Sequence, residues 1–449
     1  MSAGTEALDR AERAAALVRS ACSSDLRTAR TLLAAEPGLA RHDLATACVT
    51  GEVAEVARRI EQDPDATNRR IPPSDWTPLL YACFSRFLRA GPEQAARIVA
   101  VVRLLLDAGA DPNATWLDGE FVEAPIFGAS GIANHAELTE MLLAAGADPN
   151  ETLDDPERIG ESLYHAVEFS DPTCARLLLE AGTNPHVVSY CLGRVLDFDR
   201  PEMVELFLAH GAKATGRMLR LAVARRRSIR TVQALLDAGA PPDGGRIADD
   251  GRGRLALAGA APVRLATRWG RTDLVDLLVE RGADPRVVTD ADRAWGAAVT
   301  AQPVPPDAPP PPPELLAWAA HVGDVDAVGR LIDAGAAVDG QGDDRPLGQA
   351  AWRGHAAVVQ ELIQRGAALT WPQGSPIGAA LHGSVHCHDP EAGPSMRLVD
   401  EVTHGDYPGV VQALLEAGAA LPTTLWDDDL DAAELVAAMG LTPPPPPTP

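Results

Sequence analysis

Lysine is almost absent: Lys213 is the single one among 39 basic residues. Nearly every cation is therefore a planar guanidinium with a fork of donors instead of a point charge. Aromatic residues make up only 4% of the chain, so the core must come from aliphatic side chains, and any recurrence of Trp or Phe at one position is informative. No run of about 18 apolar residues occurs, which excludes a membrane-spanning helix. The N-terminus carries Glu6, Asp9, Arg10 and Glu12 where a signal peptide would need an apolar stretch. The six cysteines (Cys22, Cys48, Cys83, Cys174, Cys191 and Cys387) have no framework spacing. Reduced, buried thiols in a cytoplasmic protein are expected. Acidic residues outnumber basic ones 63 to 39, a net charge of −24. That balance favours solubility and argues against a general nucleic-acid binder, which needs clustered cations.

What the chain does have is one phrase written many times. Leu104 to Asn113 reads LLLDAGADPN. Its leucines end an apolar helix face, Gly109 stops the helix in the left-handed region, and Asp-Pro-Asn makes a turn with side-chain bonds to local backbone. The phrase returns at Gly146, Gly182, Gly211, Gly239, Gly282, Gly335, Gly366 and Gly418. Upstream of several copies lies the opening of a partner helix, as in Thr77-Pro78-Leu79-Leu80-Tyr81-Ala82 and Pro346-Leu347-Gly348-Gln349-Ala350-Ala351. Gly270, Gly323 and Gly354 each stand 12 residues before a cap glycine, which locks an inter-helix turn in register with the cap.

These features resemble the ankyrin repeat: a Thr-Pro-Leu-x-x-Ala opening, a Gly-His turn, a Val-x-x-Leu-Leu helix and a closing Gly-Ala-Asp-x-Asn. The signature's His is missing from the openings, and cap-to-cap spacing runs from 28 residues (Gly211 to Gly239) to 53 (Gly282 to Gly335). Some units must therefore be shortened and others must carry insertions. The resemblance implies an all-α solenoid of stacked helix-turn-helix units with capped ends, since each unit is too small to bury its apolar face alone. Five segments are expected: an N-terminal cap with degenerate repeats over 1–70, the main array over 71–285, a proline-rich interruption over 286–313, further repeats over 314–421, and a capping helix with a proline-rich tail over 422–449. Residues 304–313 should be extended polyproline, 290–300 a short helix before it, and 85–93, 114–123, 151–160 and 241–260 inserted loops.

The resemblance also implies a function: a non-catalytic scaffold or adaptor that binds a protein or peptide in its concave groove. No cofactor is expected, and a monomer is. Counting back from the cap glycines places Phe169, Phe198, Arg225, Arg226, Arg268, Trp269, His321, Trp352 and Arg353 on that face, types that dominate binding hot spots. Residues 217–271 hold twelve arginines against four aspartates. They form either a basic stretch of groove for a partner with an acidic segment or a solvated face held by acidic neighbours. Trp116, Asp118, Glu120 and Phe121 either complete the groove edge or fold back over their own repeat. The competing class is a metal-dependent enzyme or metal-binding factor. It would use His382, His386, Cys387 and His388 in the 382–404 insertion, where imidazole, thiolate and carboxylate could ligate zinc. No zinc-finger or metalloprotease spacing accompanies them. The Gly251-Arg252-Gly253-Arg254 run has no preceding strand to make it a dinucleotide loop, and the carboxylates of 427–431 suit a helix N-terminus better than calcium.

Overall fold

The computed structural model describes residues 3–23, 26–118, 121–151, 160–245, 260–341, 345–371, 374–387, 405–422 and 432–444. Described residues fall into two compact units that divide between Arg194 and Val195.

Helices dominate both units. In the first, helix Leu44–Thr50 packs on Pro78–Phe84, and Val53–Gln62 on Pro92–Asp107. First helices thus stack on first helices, and second helices on second helices. The second unit repeats the scheme. Gly216–Ala224 packs on Pro262–Arg268, which packs on Asp290–Val299; farther along, Pro313–His321 packs on Pro346–Trp352, which packs on Pro376–Cys387.

The repeated phrase explains this regularity. Four residues before each cap glycine stand Leu105, Leu142, Leu178, Phe207, Leu235, Leu278, Leu331, Leu362 and Leu414, all fully buried. Each such side chain contributes about 1.5–3 kcal/mol by leaving water. All nine cap glycines take left-handed backbone, from φ 85° at Gly109 to 103° at Gly282.

Asparagines at the ends of the phrases join neighbouring turns. Asn113 Nδ2 donates to the Gly146 carbonyl at 2.9 Å, and its Oδ1 accepts from Asp148 N at 2.7 Å. Asn68 makes the same two bonds to Gly109 and Asp111, and Asn150 Oδ1 accepts from Asn184 N. In four of the phrases an aspartate, Asp111, Asp148, Asp243 or Asp284, accepts from the backbone two residues on, as Asp111 does from Asn113 N at 2.9 Å.

Two insertions depart from plain loop. Residues Arg86–Arg89 form a 3₁₀ turn. Residues 114–123, expected as loop, contain an antiparallel hairpin of Trp116–Asp118 and Phe121–Glu123. It buries Val122 and leaves Leu117 56% exposed. The Trp116 ring meets Trp76 edge-on with centroids 6.1 Å apart. At the proline-rich interruption, helix Asp290–Val299 forms as the sequence suggests, and residues 302–312 contain no helix. Arg330, from Val325–Asp333, donates to the Ala298 and Val299 carbonyls and so satisfies the end of that helix. A cleft of about 570 Å³ opens there beside Trp295, Val304 and Pro309.

Cys22, Cys48, Cys83, Cys174 and Cys191 are free thiols. Burial pushes Cys22 up to about 12 and Cys174 to about 11, which leaves both inert at neutral pH. Among the described residues no helix is long and apolar enough to cross a membrane.

Candidate recognition surface

The nine residues singled out from the sequence separate by what each one touches. Phe169, Phe198 and Trp269 are each only 3% exposed, because arginines cover them. The Arg89 guanidinium lies 5.0 Å from the Phe169 ring centre, Arg200 lies 4.9 Å from Phe198, and Arg226 lies 5.2 Å from Trp269. Such stacking binds the weakly hydrated guanidinium to the ring face and keeps the stem packed. The Trp269 indole also donates to the Ala224 carbonyl at 3.1 Å, so this side chain is built into its own repeat pair.

Arg225, Arg226 and Arg268 are half-buried and spent on carboxylates. Arg225 meets Asp197 at 2.6 Å, and Arg226 meets Asp324 at 2.6 Å. Arg268 and Arg264 share the fully buried Asp292, at 2.7 and 2.8 Å. Burial would push the Asp292 carboxyl up, but the bonds from Arg264, Thr289 and Arg268 hold it down at about 2. The backbone at Arg226 is left-handed, φ 56°, as it is at the turn glycines Gly270, Gly323 and Gly354. Counting from Gly239 places the turn one residue later, so one extra residue separates turn from second helix in this repeat.

His321, Trp352 and Arg353 form a half-buried group on helices Pro313–His321 and Pro346–Trp352. His321 Nδ1 bonds Gln349 Oε1 at 3.0 Å, while its carbonyl accepts from His355 Nε2 at 3.0 Å. Burial, with the Arg353 charge behind it, pushes the His321 imidazole well below its ordinary value and keeps it neutral. The Trp352 ring lies 6.0 Å from His321 and 6.0 Å from the Arg353 guanidinium.

One residue that sequence counting passed over belongs with this group. Arg227 is half-buried, and its Nε is enclosed with no hydrogen-bond partner. Burial, then the neighbouring Arg225 charge, lowers its pKa to about 10, and Arg353 acts in the same direction. The signal was the run Arg225-Arg226-Arg227, three cations in a row across a tight turn.

A second polar cluster lies in the first unit. Glu168 is fully buried against His165 Nδ1 at 3.3 Å and Arg194 Nη2 at 2.5 Å, and His165 Nε2 meets Glu161 at 3.0 Å. Burial would push His165 down; Glu168 and Glu161 overcome it and hold the imidazole at about 9. The Glu161, His165, Glu168 spacing along one helix and its end was the available signal.

The histidine-rich candidates for metal lie largely outside the described residues. His382 is half-buried on helix Pro376–Cys387. The side chains of His386 and Cys387, and all of His388, fall outside. Among the described residues no group of three or more His, Cys, Asp or Glu could hold a metal ion. Asp118, Glu120 and Phe121, Arg246, the Gly251–Arg254 run and the carboxylates of 427–431 also lie outside, in whole or in their side chains.

Stacked helix pairs with glycine-capped second helices and Asn-linked turns define a helical repeat protein. Residues 74–116 match the ankyrin repeat family, and the chain is an ankyrin-repeat protein. That stretch includes the Thr77 cap of helix Pro78–Phe84, the helix Pro92–Asp107 and the Gly109 turn. The curated proteins contain no match to the chain.

Proposed function

We propose that the chain is a non-catalytic binding module, a solenoid of stacked units with capped ends that holds a protein or peptide partner in its concave groove. The partner presents an acidic segment. One observation carries the reading: Trp352, His321 and Arg353 gather as an aromatic and basic half-buried group, beside arginines in excess of their carboxylates, in a chain of net charge −24. Amphipathic aromatics and arginine supply contact area and forked donors where a partner would be desolvated. Phe198, Trp269 and Arg268 are packed through their internal contacts in the second unit, Arg225 and Arg226 would line the face while paired, and Phe169 is covered by Arg89 within the first unit. Residues 1–70 and 422–449 would cap the array, and 286–313 would interrupt it as a spacer. Ankyrin repeats generally mediate protein interaction, which agrees with this role.

The test is a peptide array of matched acidic, neutral and basic sequences probed with the full chain and with Trp352→Ala and Arg353→Ala variants. Acidic peptides should bind the wild type, and each variant should lose about tenfold in affinity while keeping its unfolding midpoint. Binding indifferent to peptide charge and to both variants would remove the groove from consideration.

A further inference from the structure

Charges on the proposed groove face of the second unit do not balance. Arg225 is matched by Asp197, Arg226 by Asp324, and Arg268 by Asp292. His321 is neutral. That leaves Arg227 and Arg353. Neither guanidinium makes an ion pair or donates a hydrogen bond to any described residue, and the Arg227 Nε is fully enclosed. The other carboxylate acting on Arg227 is Asp199. Its oxygens accept from Ser228 N at 2.9 and 3.0 Å and from the Thr231 hydroxyl at 3.3 Å, and no ion pair joins it to Arg227.

Leaving a half-buried guanidinium unmatched is costly, because the charge loses water and gains nothing in return. The Arg226–Asp324 ion pair draws the turn that holds Arg227 to the turn after helix Pro313–His321, and His321 lies 6.0 Å from the Trp352 ring beside Arg353. A fold selected for stability alone would supply a carboxylate or replace one arginine. Arg227 is moreover held in place: its backbone N–H donates to the Ala222 carbonyl, and its carbonyl accepts from Arg271 Nη1 at 3.5 Å.

We infer that Arg227 and Arg353 form a receptor for a phosphomonoester dianion carried by the partner segment, with Trp352 packing beside it. This rests on the groove reading above and specifies its ligand. A single carboxylate neutralises one charge with two coplanar oxygens. A phosphomonoester carries close to two negative charges at neutral pH and three acceptor oxygens, which suit two guanidinium forks held in different inter-helix turns.

The experiment is isothermal calorimetry on the full chain with four probes: inorganic phosphate, O-phosphoserine, an acidic peptide containing one phosphoserine, and the same peptide unphosphorylated. Arg227→Gln and Arg353→Gln are compared with Arg286→Gln, an exposed arginine paired with Asp284. Phosphorylation should tighten peptide binding at least about tenfold. Each of the first two variants should abolish that gain, and Arg286→Gln should leave it intact. Without ligand, Arg227→Gln should unfold at the same temperature as wild type or higher, because it removes an unmatched charge; a lower midpoint would assign Arg227 a structural role and overturn the inference.

The remaining outcomes are separable. If the unphosphorylated peptide binds in the groove and phosphate adds nothing, the phosphate site is refuted and the groove reading stands. If inorganic phosphate and O-phosphoserine bind through Arg227 and Arg353 while neither peptide does, the anion site stands with a small phosphate as its ligand, and the groove reading fails. Equal weakening by Arg286→Gln would reduce every effect to general charge screening and refute the site.

Discussion

Arg226 Nη1 lies 2.6 Å from Asp324 Oδ2, although 98 positions separate the two residues in sequence. The pair spans several repeats of the second unit and starts from a residue held at φ 56°. A non-glycine residue there costs about 1 kcal/mol, so the ion pair and the stacking on Trp269 must offset that strain. Asp324 has a further duty, since its Oδ1 accepts from Ala327 N at 2.9 Å and caps helix Val325–Asp333.

These roles can be told apart by urea unfolding. Asp324→Asn keeps a capping acceptor and should cost about 0.5–1 kcal/mol for the ion pair. Asp324→Ala should add about 1 kcal/mol for the cap. Arg226→Gly loses the same pair as Arg226→Ala but relaxes the backbone, so it should be the milder change. Equal costs for the two Arg226 variants would contradict the strain.

The cluster around Glu168 predicts a pH dependence. His165 is held at about 9 in the folded chain, above 6.5 for the free side chain. Between those values the folded state binds a proton that the unfolded state has released. The stabilisation is therefore complete below pH 6.5 and disappears as pH rises through 9, with a slope of at most about 1.4 kcal/mol per pH unit. Unfolding measured at pH 6, 7.5 and 9 should weaken in that order, and His165→Gln should flatten the trend. Arg194→Met removes one of the two cations that meet the buried Glu168 carboxylate and should cost about 3 kcal/mol.

Asn113 links two turns with one donor and one acceptor. Its replacement by Ala should cost about 1–2 kcal/mol in denaturant unfolding, and Asn113→Asp, which keeps the acceptor for Asp148 N, should fall between. If Asp and Ala proved equally costly, the bond to the Gly146 carbonyl would be the one that matters.

Two glycines separate backbone conformation from space. Gly282 has φ 103° with nothing near its missing side chain, so Gly282→Ala should cost about 1–2 kcal/mol through the left-handed backbone alone. Gly383 lies in a helix with no such φ, but a Cβ there would run into the Trp352 carbonyl and, at 2.8 Å, the Tyr407 ring. Gly383→Ala should force helices Pro346–Trp352 and Pro376–Cys387 apart and cost more than Gly282→Ala in thermal unfolding.

The parts of the fold that could be read in the sequence are those that repeat. A glycine after each second helix and a large apolar residue four positions before it, leucine in every copy but that of Phe207, are required by geometry, so Gly109 or Leu278 announces its place without a structure. The short helix expected over 290–300 is present as Asp290–Val299. What escaped was local and unrepeated. The hairpin at Trp116 and Phe121 depends on a pairing that no other copy echoes among the described residues. The turn at Arg226 escaped because a non-glycine residue took the left-handed position, which shifted the count by one. The surface residues suffered a related difficulty. Spacing identifies where Phe169 or Trp269 stands, but not that an arginine from another element lies over it.

The links made by Asn68, Asn113 and Asn150 run along a single edge of the first unit, each joining one turn only to the next. When one such turn opens, its neighbour loses partners at the same instant and is the next to loosen. That edge should come undone in order, as a zip does, beginning at whichever end frays first.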